Sequence, residues 1–336
     1  MDVPSAASAA PRQRPGADTA FPRRLRVGTR GSPLALAQTR AFIARITESA
    51  AAQGLAIACE ECVIRTSGDA SQASDRRLSE LGGKGLWAHE IHQALCDERV
   101  DVAVHSLKDL ETELPDSIVL AATLPRADGR DALILGPGCG VPDPADPWAA
   151  LPRGAVVGTA SVRRQAQLLH ARPDLQVVPL RGNVQTRLDK LAAGTCAATL
   201  LAQAGLERLG LGERASLVLE PAVLLPACCQ GIIGVTARAD DGDLLALLAA
   251  LSDPESHVAA EAERALLAAL DGSCRTPIGG RARLEGGTLH LEGLVARADG
   301  SFLLRRGLAG PVEEAAHLGA SLGLGLRAAS PAELFA

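Results

Sequence analysis

Residues 27–38, VGTRGSPLALAQ, and residues 157–167, VGTASVRRQAQ, follow one design. Each opens with Val-Gly-Thr and carries a serine where a helix N-cap would accept backbone N–H groups. In the first copy Val27 closes a short strand, Gly28–Gly31 form a tight turn, Ser32 is the cap and Pro33 takes the first helical position. Leu34, Leu36, Ala37, Phe42, Ile43 and Ile46 then recur at roughly helical spacing. A strand that runs into a helix N-terminus is the unit of an open α/β sheet, and its repetition predicts two such sheets.

The neighbours of each copy extend the alternation. After the first come ACEECVIRT (58–66), a helix in KGLWAHEIHQALCDE (84–98) and VDVAVHS (100–106). After the second come LQVVPL (175–180), a helix in NVQTRLDKLAAG (183–194) and CAATLLAQAGL (196–206). Pro125, Asp128 and Gly129 mark a crossing between the two lobes, and residues 136–154 read as a Pro/Gly-rich loop. LPACCQGIIGVTARAD (225–240) reads as the return crossing, with IIGV rejoining the first sheet. The helix HVAAEAERALLAAL (257–270), with Gly272 at its C-terminal glycine position, opens a third unit of three strands and a helix from about 311 to 325. The expected division is a flexible tail over 1–22, a first α/β lobe over 23–124 and 230–250, a second over 125–229, and a small α+β domain over 251–336.

Composition narrows the function. Of 336 residues 47% are apolar and 22% charged, an ordinary globular balance. Aromatics are 2% with no tyrosine, which leaves no stacking platform for single-stranded nucleic acid. A net charge of −5 removes broad attraction to phosphate backbones. No apolar run approaches the roughly 20 residues that span a bilayer. The Ala/Pro/Ser-rich start has no continuous apolar core, so a tail is expected rather than a secretory signal, with a transit peptide as the alternative. Eight cysteines then read as reduced thiols in the cytoplasm. Cys59 and Cys62 lack a second pair to complete a zinc site, and His89 and His92 lack HExxH spacing, so no metal is expected.

Ligands collect at the carboxyl ends of strands in open α/β sheets, where helix N-termini favour anions. Arg30, Arg163, Arg164, Arg181 and Arg187 all fall at such places. Arg163 and Arg164 oppose the helix dipole and call for an anion; a solvated helix face is the bland alternative. VDVAVHSLKD (100–109) ends a buried run with Lys108 and Asp109. A lone carboxylate among cations stays ionised and can stabilise a developing cation or move a proton, or it can merely pair with Lys108.

TRGSPLALAQ, GGKGLWAHEIHQAL, DVAVHSLKD, PRADGRDALI, VVGTASVRRQAQL, LRGNVQTRLDKL, AGLERLGL, LPACCQG and GSCRTPIGG together resemble the porphobilinogen deaminase (hydroxymethylbilane synthase) family, in the family's order over roughly residues 24–300. The resemblance implies two periplasmic-binding-protein-like lobes flanking a cleft. It also implies a cytoplasmic monomer that condenses four porphobilinogen molecules head to tail with loss of ammonia and hydrolyses the chain to hydroxymethylbilane. Growth takes place on a dipyrromethane cofactor held by a cysteine thioether; by motif match that cysteine is Cys274. Asp109 matches the catalytic aspartate, which stabilises the azafulvenium cation left by ammonia. Lys108, Thr159, Ser161, Arg163, Arg164 and Arg181 match positions that hold the cofactor's carboxylates, and Arg30, Ser32 and Arg187 those that hold the substrate's. Lys84 and Trp87 match a loop over the cleft, where Trp87 either stacks on a pyrrole or packs in the core.

Four departures stand out. SLKDLETELP lacks the family's usual Val-Pro after the aspartate, Ala160 replaces a common serine, and Arg275-Thr276 replaces Gln-Val. Cys229 stands where the usual pattern has glycine, which costs stability if the backbone there needs positive φ. A non-catalytic two-lobed anion-binding protein is the rival reading; it predicts an export signal and has no need of Cys274.

Overall fold

The computed structural model describes residues 23–66, 88–270 and 276–335. Strand β1 (Arg23–Arg30) leads into helix α1 (Pro33–Ala52), with Ser32 Oγ accepting from Ala35 N at 3.3 Å. The strand continues past Val27 through the expected turn to Arg30, because every residue along it is paired in parallel with β2 (Ile57–Ile64). The second copy ends sooner. Strand β6 (Val156–Gly158) stops at Gly158, and Ser161 caps the helix Val162–Ala171 by accepting from Arg164 N at 3.4 Å.

Both sheets have five strands and one plan. The first adds β3 (Val102–Ser106), β4 (Ile118–Thr123) and β10 (Ile233–Arg238) in the order β2-β1-β3-β10-β4. The second combines β5 (Asp131–Leu135), β6, β7 (Gln176–Val178), β8 (Ala198–Ala202) and β9 (Leu217–Leu219) as β7-β6-β8-β5-β9. In each, three parallel strands meet one antiparallel strand in the fourth place, β10 or β5, and that strand arrives from the other lobe. The IIGV segment therefore does rejoin the first sheet. Helix α2 (His89–Cys96) covers the first sheet. The helix Val162–Ala171 is α3, and α4 (Val184–Ala192) and α5 (Gln203–Arg208) complete the second lobe.

The lobes have separate apolar cores. Leu25, Val27, Phe42, Ile46, Val104 and Leu248 fill one face of the first sheet, the last from α6 (Gly242–Leu251). Leu133, Val157, Leu168 and Leu200 fill one face of the second. The third unit packs α7 (Pro254–Ala269) and α8 (Ala315–Ala328) on a sheet of β11 (Ile278–Glu285), β12 (Thr288–Ala296) and β13 (Leu303–Pro311). Its last helix begins later than 311, because β13 extends to Pro311 and a 3₁₀ turn over Val312–Glu314 intervenes. Gly319 lets α8 approach α7; a Cβ there would lie 2.2 Å from Ala262 O. No helix among the described residues is long and apolar enough to cross a membrane.

The two crossings run side by side. Ala127 N donates to Gly231 O at 3.2 Å, and at Gly231 (φ 93°) a Cβ would come within 2.5 Å of Ala127 O. Glu263 of α7 is fully buried beneath them. Its carboxylate takes Arg126 Nη1 at 2.5 Å and Nη2 at 3.2 Å, Ala282 N at 2.6 Å, and the N–H of Cys229. Arg126 Nε also donates to Gln230 O at 2.9 Å. One carboxylate thus joins the outbound crossing, the return crossing and the third unit. Cys229 does adopt positive φ, at 61°.

Removing one partner of a buried ion pair leaves an uncompensated charge, so Glu263→Ala should cost about 3–5 kcal/mol. Urea denaturation followed by circular dichroism measures it, and a loss under about 1 kcal/mol would refute the assigned weight of this contact.

Candidate active site

The run VDVAVHS becomes β3, and Leu107–Asp109 follow as a single 3₁₀ turn. Leu107 and Leu110 are both buried and pack with Ile232 and the third unit's apolar core, while Leu107 N donates to Ile232 O at 3.0 Å. With the flanking leucines pinned, Lys108 is left half-buried and Asp109 exposed. Lys108 Nζ donates to Gln230 Oε1 at 3.2 Å. Burial pushes the Lys108 amine down to about 8, against the opposing pull of Asp109 and Asp131.

Asp109 lies on the rim of a pocket shared with Arg30, Ser32, Gln38, His105 and Ser106. Ser106 Oγ donates to Gln38 Oε1 at 2.9 Å, tying the end of β3 to α1. His105 is buried, and its Nε2 is 3.0 Å from Thr236 Oγ1. Burial, with help from His92, Arg30 and Arg264, drops its pKa to about 3, so it is neutral at ordinary pH and carries no imidazolium proton for general acid work. Asp109 is the pocket's carboxylate.

The second lobe brings arginines into the field of Asp109. Arg163 and Arg164 are both buried, and the anion they call for is internal. Asp131, at the head of β5 and fully buried, accepts Arg163 Nη2 and Arg164 Nη2, each at 2.7 Å. Arg163 Nη1 goes to Leu225 O at 2.6 Å and Arg164 Nη1 to Leu200 O at 2.8 Å. Burial by itself would raise the Asp131 carboxyl. The two guanidiniums and the hydrogen bonds from Arg164 and Gln230 outweigh it and hold the group below the usual carboxylate range. Two cations against one anion leave this corner positive.

Arg187, in the second turn of α4, donates its Nε to Gly182 O at 2.8 Å. Burial first, then Arg164 and Arg181, lower it to about 10 against the opposing pull of Asp109. The aspartate of the first lobe and three arginines of the second therefore share one field. Arg181 is 7% exposed, and its Nε and Nη2 have no hydrogen-bond partner among the described residues. Buried guanidinium donors left unmet are costly, and a ligand carboxylate meets two of them at once. A dipyrromethane bearing acetate and propionate groups fits that demand.

Thr159 and Ser161 serve the turn between β6 and α3: Thr159 Oγ1 accepts from Ser161 N at 3.2 Å, and Ser161 is the helix cap. Ser32 caps α1 in the same way, and Arg30 stands half-buried at the end of β1. Cys274, Lys84 and Trp87 lie outside the described residues. Reading the sequence passed over Asp131, Gln230, Arg126 and Glu263. For Asp131 a signal was present, since a carboxylate opening the apolar run DALIL poses the same puzzle as Lys108 and Asp109 closing theirs.

Comparison with known proteins agrees with this geometry. Residues 25–246 match the family model "Porphobilinogen deaminase, dipyromethane cofactor binding domain", and residues 257–328 match "Porphobilinogen deaminase, C-terminal domain". The porphobilinogen deaminase of Paracoccus denitrificans is 48% identical over 93% of this chain and 96% of its own length. That of Nitrobacter hamburgensis is 49% identical over 90% and 92%. Among solved structures, an arginine transport system periplasmic binding protein from Legionella pneumophila is similar with a TM-score of 0.37 at 13% identity, over 68% of this chain and 91% of that one.

The Asp131 carboxyl is held down in the folded state, so its contribution to stability is complete above the unfolded value near pH 4 and fades as pH falls below it. Asp131→Asn should therefore be about 3–5 kcal/mol less stable than the parent at pH 7, with the gap narrowing below about pH 4. Urea titrations across pH 3–7 measure the gap; one that stays constant over that range would contradict the ion-pair account.

Proposed function

This chain belongs to the porphobilinogen deaminase family, and we propose that its cleft joins porphobilinogen molecules head to tail through Asp109, with the arginines of the second lobe holding their carboxylates. The activity is that of a transferase of porphyrin biosynthesis, and dipyrromethane is its cofactor. The observation that carries the residue assignment is the exposed Asp109 carboxylate in one field with Arg164, Arg181 and Arg187, where Arg181 has donors to spare.

Asp109 performs the charge work. As ammonia leaves the aminomethyl arm of porphobilinogen, the pyrrole gains positive charge. At about 4 Å and an effective dielectric of about 20, a carboxylate stabilises that charge by about 4 kcal/mol, roughly a thousandfold in rate. The same oxygen atoms can accept the pyrrole N–H, and a proton carried by Asp109 can pass to the departing amine. His105, neutral at ordinary pH, leaves that task to Asp109.

The arginines perform the positioning. Arg30, Ser32 and Arg187 are assigned to the carboxylates of the incoming substrate. Lys108, Thr159, Ser161, Arg163, Arg164 and Arg181 are assigned to the cofactor, whose attachment we place at Cys274. When bound, the dipyrromethane supplies the free pyrrole end from which the chain grows. The close engagement of Arg163 with Asp131 and Leu225 supports a scaffolding share in its role, and the unmet donors of Arg181 support direct carboxylate binding. Lobes divided at 124/125 and 229/230, Lys84 and Trp87 on a loop over the cleft, and a monomer working in the cytoplasm complete the proposal.

Asp109→Asn keeps the shape and removes the charge, so kcat should fall about 10²–10³-fold while substrate still binds. Cys274→Ala should abolish the covalent pyrrole adduct in the intact mass. Unchanged turnover in the first variant, or an adduct persisting in the second, would overturn the corresponding assignment.

A further inference from the structure

Gln230 is 1% exposed on the return crossing, and its amide is bonded on both ends. Its Oε1 accepts from Lys108 Nζ at 3.2 Å. Its Nε2 donates to Asp131 Oδ1 and Gly129 O, both at 2.9 Å, and reaches Arg130 O at 3.3 Å. The partners fix the amide's orientation. Flipped, the NH₂ group would face an ammonium and the carbonyl a carboxylate. A side chain that accepts from a cation and donates to an anion at the same time is what this place demands, and the amide of Gln230 supplies it.

We propose that Gln230 is a positioning residue for the condensation, holding the Lys108 ammonium beside Asp109 in register with the Asp131–arginine cluster across the lobe crossing. The proposal rests on the reading of the cleft given above. Among the described residues Asp109 makes no side-chain hydrogen bond to the second lobe, whereas Lys108 reaches that lobe through the Gln230 amide. Displacing the ammonium would therefore loosen the carboxylate's neighbour while leaving the arginines in place.

The charged groups facing Lys108 are Asp109 from its own turn, Arg163 and Arg164 from α3, and Asp131 from β5. Lys108 titrates near 8, so a change of partner is readable close to neutral pH. A carbonyl that accepts from the ammonium favours its charged form. Removing that acceptor lowers the pKa, and replacing it with a carboxylate raises it.

The chain has three lysines, Lys84, Lys108 and Lys190, so selective ¹⁵N-lysine labelling of the cofactor-loaded enzyme yields three side-chain signals, with Lys108→Arg identifying one. In Gln230→Met the Lys108 midpoint should fall by about half a pH unit or more, and in Gln230→Glu it should rise by about one. The alkaline limb of kcat/KM should follow each midpoint, with kcat reduced about tenfold in Gln230→Met and KM changed less than about twofold. Gln230→Glu is isosteric and guards against failure of the apolar variant to fold. Midpoints that stay put in both variants, or that move in the same direction, overturn the proposal. So does a limb that ignores them. The Lys108 titration does not depend on turnover, so failure of the cleft reading, seen in an active Asp109→Asn, is told apart from failure of this one.

Discussion

Two guanidiniums buried side by side in the first turn of a helix repel each other and the helix dipole, and without a counter-charge inside the protein they would not stay there. Asp131 is that counter-charge. The rest of the second lobe's contribution follows from it. With Arg163 and Arg164 anchored by a carboxylate and by the carbonyls of Leu225 and Leu200, their positions are set before any ligand arrives. One anion for two cations leaves a residual positive field, and Arg181 and Arg187 add to it. Electrostatic stabilisation works best when the charges need not reorganise at the moment of reaction. A cleft built this way presents its positive charge already in place.

The first lobe solves a different problem, which is how to expose one carboxylate at a fixed spot. Leu107 and Leu110 bracket the 3₁₀ turn and are driven into the apolar core shared with the third unit. Each buried leucine is worth about 1.5–3 kcal/mol relative to exposure. That is enough to hold a short turn whose middle residues would otherwise prefer water. Lys108 is the one drawn partly inward, and it is met by Gln230; Asp109 is the one left outward. A strand that ends in a cation and an anion is thus a strand whose next two apolar residues have been pinned around them.

Much of this was legible in the chain. The repeated Val-Gly-Thr units declared two α/β lobes, because a strand, a turn and a capped helix follow from local chemistry alone. The return of IIGV to the first sheet was also readable, since a short apolar run after a crossing needs a sheet to bury it. The end of β1 was misread because pairing with β2 through Arg30 is a long-range fact, invisible to a local turn signal. The partners of Arg163 and Arg164 were missed for the same reason: Asp131 is distant in sequence and belongs to another element. Motif position identified which residues carry charge at strand ends. It did not say which of those charges are already neutralised within the protein.

Cys229 shows how the crossing tolerates a poor local choice. A side chain at φ 61° costs about 1–2 kcal/mol relative to right-handed backbone, which is why glycine suits the place. The surrounding bonds over-determine the conformation all the same. The Cys229 N–H is taken by Glu263, its carbonyl accepts from Ile232 N at 3.1 Å, and Gln230 N closes on Ala227 O at 3.1 Å. Burial, reinforced by Glu263, pushes the Cys229 thiol well up, so it rests as a small apolar group against the third unit's core. Its buried side chain offsets part of the backbone cost, and the carboxylate of Glu263 offsets more by binding the N–H that the strained turn presents. The same carboxylate that neutralises Arg126 therefore sets the direction of the return crossing, and with it the place from which the Gln230 amide meets Lys108.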